Sequence, residues 1–168
     1  TENTLVMFAT DHGASFPHSK GTLYDGGTKV ACMMRWPGHL PQGGSVTDLT
    51  SHVDILPTLL ELLNLPVPSH CQGHSLAAVT RGSQIAGREY VYAEKNYTQY
   101  YDPARMIRSD SFKYIHKGLK TCIFDFVLTE IELSAANFRT SRAVFDFYSS
   151  RRTTEELYDL TNDPAEMN

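Results

Sequence analysis

The pattern of hydrophobic and polar positions predicts two core strands near the N-terminus, with a long loop between them. Residues 4–10 form a short, continuous apolar run, typical of a parallel-sheet strand that is covered on both faces. Residues 30–36 predict the second strand, which ends at Pro37-Gly38. Residues 11–28 are rich in Gly, Ser and His. A loop of this length inside a domain is often functional.

One amphipathic helix follows, predicted over residues 53–64. Its apolar residues recur with the spacing of one helix face, at Val53, Leu56, Leu59, Leu60 and Leu63. Pro57 must lie in the first turn, where the missing N–H has no partner within the helix. The following prolines, Pro66 and Pro68, end the element.

The second half of the chain predicts a small antiparallel sheet. Strands are expected at residues 90–94, 106–109, 112–116 and 157–160. The second and third of these form a hairpin around Asp110-Ser111. The aromatic stretch 124–147 is expected to add helices. We therefore predict an α/β region over residues 1–88 and a smaller α+β region over residues 89–168.

Composition narrows the class of protein. The 168 residues are enough to bury a hydrophobic core, and the net charge of −4 argues against a nucleic-acid partner. No apolar run approaches the roughly 18 residues of a membrane span. Cys32, Cys71 and Cys122 are too widely spaced for a thiolate zinc site. Cys32 lies in an apolar strand and is expected to be a small core residue.

Candidate chemistry begins at Asp11-His12-Gly13, where the first strand opens into the loop. In open α/β sheets, ligands bind outside the carboxyl ends of the strands. Asp and His are common metal ligands, and Lys20, seven residues after Gly13, suits an anionic substrate. The alternative is that Asp11 only caps a turn or the next helix.

Several segments match one enzyme family in the same order along the chain. Residues 4–38 contain Asp11-His12-Gly13, Lys20-Gly21, Gly26-Gly27 and Trp36-Pro37-Gly38. Later matches are residues 51–60, Glu156-Leu157-Tyr158-Asp159-Leu160 and Asp163-Pro164-Ala165-Glu166. Together they resemble the sulfatase family of the alkaline-phosphatase-like superfamily. The resemblance implies the C-terminal portion of an α/β sandwich with a small α+β subdomain. Residues 106–158 are similar to the heparan N-sulfatase (sulfamidase) branch.

This resemblance implies hydrolysis of a sulfate ester or sulfamate, with a sulfated small molecule or glycan as substrate. Asp11 and His12 match metal ligands for one divalent cation, with Ca²⁺ the first choice. Mn²⁺ or Zn²⁺ is the alternative, because imidazole suits these metals better. Lys20 matches a catalytic lysine that contacts the sulfate and the leaving-group oxygen. His18 is a second candidate for substrate binding, because it lies two residues from Lys20.

The nucleophile that the family uses is not found in this sequence. Sulfatases convert Cys or Ser to formylglycine within Cys/Ser-x-Pro-x-Arg. Only Ser15-Phe16-Pro17-His18-Ser19 comes close, with Ser19 at the position of the Arg. The acidic metal ligands expected upstream are also missing. We therefore expect this chain to be the C-terminal part of a longer enzyme and inactive without the N-terminal part. The resemblance implies a periplasmic, extracellular or lysosomal location.

Each of the other candidate residues has both a functional and a structural interpretation. Ser51, His52 and Asp54 contain the residues of a catalytic triad, but adjacent residues at the start of a helix favour capping. Loop histidines and strand arginines could contact a sulfated sugar or be solvated, namely His70, His74, Arg105 and Arg108.

Two further functions remain open at this point. A phosphodiesterase or phosphonate hydrolase of the same superfamily is compatible with His12. A non-catalytic glycan-binding fragment is the third possibility. In addition, Asp25 stands before Gly26-Gly27 where sulfatases commonly have Glu. The shorter side chain leaves the role of this carboxylate open.

Overall fold

The computed structural model describes residues 2–16, 18–82, 88–97, 101–119 and 153–167. The chain divides into two compact units that alternate along the sequence. The first comprises Thr1–Ala9 and Cys32–Val91, and the second comprises Thr10–Ala31 and Tyr92–Asn168. The loop after the first strand thus groups with the C-terminal part of the chain. The domain limits 1–88 and 89–168 stay a prediction.

The two predicted N-terminal strands exist, but they pair antiparallel. Strand β1 (Val6–Ala9) runs opposite strand β2 (Cys32–Arg35), with Val6 facing Arg35 and Ala9 facing Cys32. The predicted parallel arrangement is therefore wrong for this pair. Parallel neighbours need a long crossover, usually a helix. The described part of this connection contains only the four-residue helix α1 (Asp25–Thr28).

The predicted burial of these strands is also wrong within the described structure. All four residues of β1 are exposed, and Cys32, expected in the core, is exposed as well. The core of this unit gathers elsewhere, around Trp36, Leu62 and Ala77. A two-stranded sheet is covered only where another layer packs on it, and the described residues provide no layer over β1.

The predicted helix over residues 53–64 is confirmed. A 3₁₀ turn at His52–Asp54 leads into α2 (Ile55–Leu62), with Pro57 in the first turn. The buried side chains of α2 are Pro57, Thr58 and Leu62, whereas three residues of the predicted apolar face are exposed, namely Val53, Leu56 and Leu63. The Thr58 hydroxyl accepts the N–H of Leu76 at 2.9 Å, just before helix α3 (Ala77–Thr80). The hydrogen bonds of Thr58 thus help to set which face of the helix is buried, and this face differs from the predicted apolar one.

The second unit contains a four-stranded sheet in the order β3-β4-β5-β6. The strands are β3 (Val91–Tyr97), β4 (Tyr101–Arg108), β5 (Phe112–Lys117) and β6 (Glu155–Asp159). Strand β5 pairs antiparallel with both β4 and β6. All four predicted strands and the hairpin around Asp110-Ser111 are confirmed. The helices predicted over residues 124–147, like Cys122, lie outside the described residues.

The core of the sheet connects it to the candidate site loop. Its buried residues from β4, β5, β6 and the following turn are Ala104, Met106, Ile115, Tyr158 and Leu160. Leu23 joins this cluster from the loop before α1, with Tyr24 packed beside it. The loop is thus held against the sheet by apolar contacts. Among the described helices, none is both long and apolar enough to cross a membrane.

Candidate functional site

Asp11 and His12 lie side by side at the start of the loop that follows β1. Thr10, just before them, exchanges two hydrogen bonds with Ala31, at 3.0 and 3.1 Å. His12 Nε2 lies 3.5 Å from Asp11 Oδ1, and the side chains are 41% and 88% exposed. His12 Nδ1 lies 2.7 Å from the carbonyl oxygen of Gly13. Each ring nitrogen of His12 thus lies near an oxygen atom, one of Gly13 and one of Asp11.

These two side chains are not a complete metal site. Within the described ranges, no group of three or more His, Cys, Asp or Glu residues is arranged to hold a metal ion. Ca²⁺ takes 6–8 oxygen ligands, so a cation bound by Asp11 and His12 needs further ligands.

Glycines hold this part of the loop against α1. The N–H of Gly13 donates to the carbonyl oxygen of Gly27 at 3.0 Å. A Cβ at Gly13 would lie 1.7 Å from the carbonyl oxygen of Gly26. A Cβ at Gly27 would lie 2.4 Å from the carbonyl oxygen of Ser19. The chain can approach this closely only because these residues lack side chains.

Lys20 belongs to the same loop and is anchored on both sides by its neighbours. Its N–H donates to the carbonyl oxygen of Ala14 at 3.1 Å. The Ser19 hydroxyl donates to the Gly26 carbonyl oxygen at 2.5 Å, and Lys95 Nζ donates to the Gly21 carbonyl oxygen at 3.0 Å. The segment with Asp11 and His12 and the segment with Lys20 are therefore both hydrogen-bonded to the same short helix, α1.

His18, the other predicted substrate residue, packs within the second unit. Its ring stacks on Tyr24, with the ring centroids 3.7 Å apart. Burial lowers the pKa of His18, which outweighs the opposing effects of Ala165 and Glu156. The imidazole is therefore neutral at pH 7. Its role in substrate binding stays a prediction.

The loop histidine is next to a polar cluster centred on Tyr24. The Tyr24 hydroxyl donates to Glu156 Oε2 at 2.9 Å and accepts from Lys117 Nζ at 3.0 Å. Lys117 also pairs with Glu156. Burial raises the pKa of Tyr24, and Glu156 adds to the shift. Tyr24 therefore stays protonated and can act as the donor.

Sequence reasoning missed a buried charge cluster behind the loop. Lys113 Nζ lies 2.5 Å from Asp25 Oδ1 and 2.6 Å from Glu166 Oε1, and the Lys113 side chain is fully buried. Arg108 Nε lies 3.2 Å from Asp25 Oδ1. The N–H of Asp25 donates to Glu166 Oε2 at 2.6 Å. Two cations and two carboxylates thus meet at the first residue of α1.

The two carboxyl groups of this cluster respond differently to it. Burial favours the neutral form of Asp25, but Lys113 and Arg108 together outweigh it and lower the pKa of that carboxyl. For Glu166, burial dominates over Lys113 and the Asp25 N–H, and the pKa is raised. Asp25 is therefore the firmly ionised partner of Lys113.

The structure also decides the role of Arg108 and Asp25. Arg108, which the sequence left between sugar contact and solvent, pairs with Asp25. Arg105 is on the surface and pairs with Glu94 at 3.3 Å. The one sequence signal for this cluster is the spacing of Lys113 and Ile115, which places both side chains on the same face of a strand. The structure buries both residues.

Asp54 has a structural role, so the triad interpretation of Ser51, His52 and Asp54 is wrong. Its fully buried carboxylate accepts the N–H of Ser51 at 2.9 Å and the N–H of His74 at 2.7 Å. It also pairs with Arg88, whose Nε donates at 3.0 Å. The predicted capping is confirmed by the Ser51 contact. Burial opposes ionisation, but Arg88 and the two N–H groups outweigh it and lower the pKa of Asp54.

Comparison with known proteins agrees with the motifs around this loop. The family described as N-sulphoglucosamine sulphohydrolase, C-terminal, matches residues 15–133. An ulvan-active sulfatase from Formosa agariphila is 30% identical over 99% of this chain and 33% of its own length. Human N-sulphoglucosamine sulphohydrolase is 25% identical over 98% of this chain and 36% of its own length.

Solved structures show the same fold. A 2-O GAG sulfatase superposes with a TM-score of 0.69 at 27% identity, covering 99% of this chain and 31% of the other. The chain thus spans about a third of the length of the proteins it matches. The fold is the predicted α/β fold of the alkaline-phosphatase-like superfamily. The chain belongs to the family of sulfatase C-terminal regions that is defined by N-sulphoglucosamine sulphohydrolase.

Proposed function

We propose that this chain is part of a metal-dependent sulfatase that hydrolyses a sulfate ester or sulfamate on a sulfated glycan. The observation that carries the proposal is the pairing of Asp11 Oδ1 and His12 Nε2, 3.5 Å apart and open to solvent. They lie on the loop that also holds Lys20. Family membership and the sulfatase relatives support the same reaction class.

Asp11 and His12 would supply two ligands to one divalent cation. Carboxylate and imidazole groups are common metal ligands, and the 3.5 Å between Asp11 Oδ1 and His12 Nε2 would let both atoms bind one cation. Ca²⁺ is the first candidate by family, and the imidazole keeps Mn²⁺ and Zn²⁺ possible. Such a cation polarises a sulfuryl oxygen and orients the group for attack.

Lys20 would act on the anionic group itself. A lysine ammonium is a compact charge that can offset negative charge as it develops on the leaving-group oxygen. The hydrogen bonds of Ser19, Lys20 and Gly21 hold the backbone from which this side chain extends. His18 would add a neutral imidazole two residues away.

The remainder of the enzyme would supply the nucleophile and the other metal ligands. It would also pack on the exposed apolar faces of this chain. Val6 and Phe8 on β1 and Leu56 on α2 are large side chains that are more than half exposed. The chain spans about a third of its relatives, which supports further sulfatase sequence over these faces. The chain without it is expected to show no turnover. A periplasmic, extracellular or lysosomal location is part of this proposal.

One observation favours a second function within the superfamily. Histidine rather than an oxygen ligand beside Asp11 suits Mn²⁺ or Zn²⁺, which are common in phosphoryl transfer. A phosphodiesterase or phosphonate hydrolase would use the same cation and lysine. The third candidate is a glycan-binding role in which no bond is hydrolysed.

Substrate and metal tests on the full-length protein separate these functions. We would assay an aryl sulfate, a sulfated glycosaminoglycan and an aryl phosphonate monoester, with and without chelator, using wild type, Asp11→Asn and the exposed control Asp48→Asn. The proposal expects chelator-sensitive sulfate release that Asp11→Asn abolishes and Asp48→Asn retains. Faster phosphonate hydrolysis would establish the second function. Glycan binding without any turnover would establish the third.

A further inference from the structure

We propose that Lys113 and Glu166 are positioning residues for the candidate site, acting through Asp25 and α1 on the loop that carries Asp11, His12 and Lys20. The inference rests on the proposed function for its activity readout. Neither residue is assigned a role by the motifs, and neither needs to touch substrate. Three structural steps connect them to the loop.

The first step is the attachment of Asp25 to the sheet through Lys113. Lys113 is fully buried and lies within 2.6 Å of both the Asp25 and the Glu166 carboxylates. A buried lysine with two carboxylate partners has few alternative arrangements, because any movement leaves a buried charge unpaired. Lys113 belongs to β5, the strand that pairs with both β4 and β6. The cluster therefore fixes Asp25 relative to the sheet.

The second step is the dependence of α1 on Glu166. A four-residue helix is too short to be stable by itself. The first N–H groups of a helix lack partners within it, and the residue before Asp25 supplies no side-chain cap. Glu166 Oε2 accepts the Asp25 N–H at 2.6 Å and so takes the place of that cap. Glu166 thus holds the start of α1 from a distant part of the sequence.

The third step passes from α1 to the loop. The carbonyl oxygen of Gly26 accepts the Ser19 hydroxyl, and the carbonyl oxygen of Gly27 accepts the Gly13 N–H. Ser19 precedes Lys20, and Gly13 follows His12. A displacement of α1 would therefore shift the backbone next to His12 and the backbone next to Lys20 together. A misplacement of about 1 Å in an active site can cost about 10²-fold in rate.

Hydrogen exchange and kinetics on the full-length protein distinguish positioning from simple stabilisation. We would compare wild type with Glu166→Ala, which removes both contacts, and Glu166→Gln, which keeps an oxygen for the Asp25 N–H. Glu94→Gln is the matched control, because Glu94 is 65% exposed and belongs to the Arg105 surface pair on the same sheet.

We expect the amides of Gly13, Lys20 and Thr22 to exchange at least about tenfold faster in Glu166→Ala, with the β4 and β5 amides unchanged. Turnover of a sulfated substrate should fall about 10²-fold at nearly constant KM, and Glu166→Gln should recover part of both losses. Glu94→Gln should match wild type in every measurement.

Unchanged loop exchange in a folded Glu166 variant overturns the proposal, as does a uniform increase across the whole sheet. Should Glu166→Ala fail to fold, the same criteria apply to Glu166→Gln. An inactive wild type would refute the proposed function alone, since loop exchange then decides the positioning role by itself.

Discussion

The amide of Gly13 donates a 3.0 Å hydrogen bond to the carbonyl oxygen of Gly27, across the loop that separates β1 from β2. This contact joins the residue after His12 to the last glycine of the Asp25-Gly26-Gly27 segment. The loop itself groups with the C-terminal unit, because Leu23 packs in the core of the four-stranded sheet and Asp25 pairs with Lys113 on β5. The candidate site is thus part of the unit that contains the four-stranded sheet.

Replacing Gly13 with Ala should loosen this contact. The new Cβ would lie 1.7 Å from the Gly26 carbonyl oxygen, and a backbone atom cannot move away as a flexible side chain can. We expect a loss of about 1–3 kcal/mol in the free energy of unfolding, as for other overpacked sites. Chemical denaturation of the two proteins measures it.

Gly44→Ala is the control for that measurement, because the atom nearest to a Cβ added at Gly44 is 3.9 Å away. The control should unfold at the wild-type midpoint. Equal midpoints for Gly13→Ala and wild type would contradict the close packing that we describe.

Replacing Lys20 with Ala in the full-length protein should reduce turnover far more than stability. A charge aimed at a developing oxyanion contributes about 3–4 kcal/mol, or about 10²–10³ in rate. A side-chain change on a surface loop usually alters stability by about 0.5 kcal/mol or less. Steady-state kinetics and the thermal midpoint should be measured on the same preparation.

The exposed lysine Lys29 provides the control for Lys20, since Lys29→Ala removes the same charge at the end of α1. Its turnover should stay within a factor of about 2 of wild type. A large drop in the midpoint of Lys20→Ala, with full activity per folded molecule, would make Lys20 a structural residue.

Asp54 should make the stability of the chain depend on pH in the acid range. Because its folded pKa is lowered, the Asp54 contribution is present above the ordinary value of 3.8 and lost as pH falls through the folded pKa. Breaking a buried pair of this kind costs about 3–5 kcal/mol, and Asp54→Asn should show that loss at neutral pH.

The difference in unfolding free energy between wild type and Asp54→Asn should shrink below pH 3.8. Asp48→Asn is the exposed control, whose difference from wild type should stay near zero throughout. A difference that is constant from neutral pH to pH 2 would show that Asp54 contributes by shape and hydrogen bonding rather than by charge.

Local patterns predicted the strands well because each depends on a few neighbouring residues. The hairpin around Asp110-Ser111 and the first-turn position of Pro57 follow from turn chemistry and from the missing N–H of proline. Burial was predicted less well. Phe8 belongs to an apolar run that fits a covered strand, yet coverage depends on which layer packs there, and that is not a local property.

The candidate site residues Asp11, His12 and Lys20 were chosen because they carry the family motif, which is a local match of residue types. The cluster of Lys113 and Glu166 joins positions far apart in the sequence, and lysine and glutamate are almost always surface residues. Only the fold brings these charges together, so no local pattern in the sequence predicts the cluster.

Protonation of His18 should loosen the loop at acid pH. Burial against Tyr24 lowers the pKa of His18 below its ordinary value of 6.5. The unfolded chain therefore binds a proton more readily than the folded one. The contribution of His18 to stability is complete above pH 6.5 and is lost as pH falls through the folded pKa.

We expect amide exchange at Lys20 and Thr22, relative to the β4 and β5 amides, to accelerate as pH falls below 6.5 in wild type, after correction for intrinsic rates. His18→Gln should remove this acceleration, because glutamine does not titrate in that range. His70→Gln, a change at an exposed histidine, should keep it. If His18→Gln and wild type show the same pH dependence, another group controls the loop, and His18 packs on Tyr24 without coupling its protonation to the site.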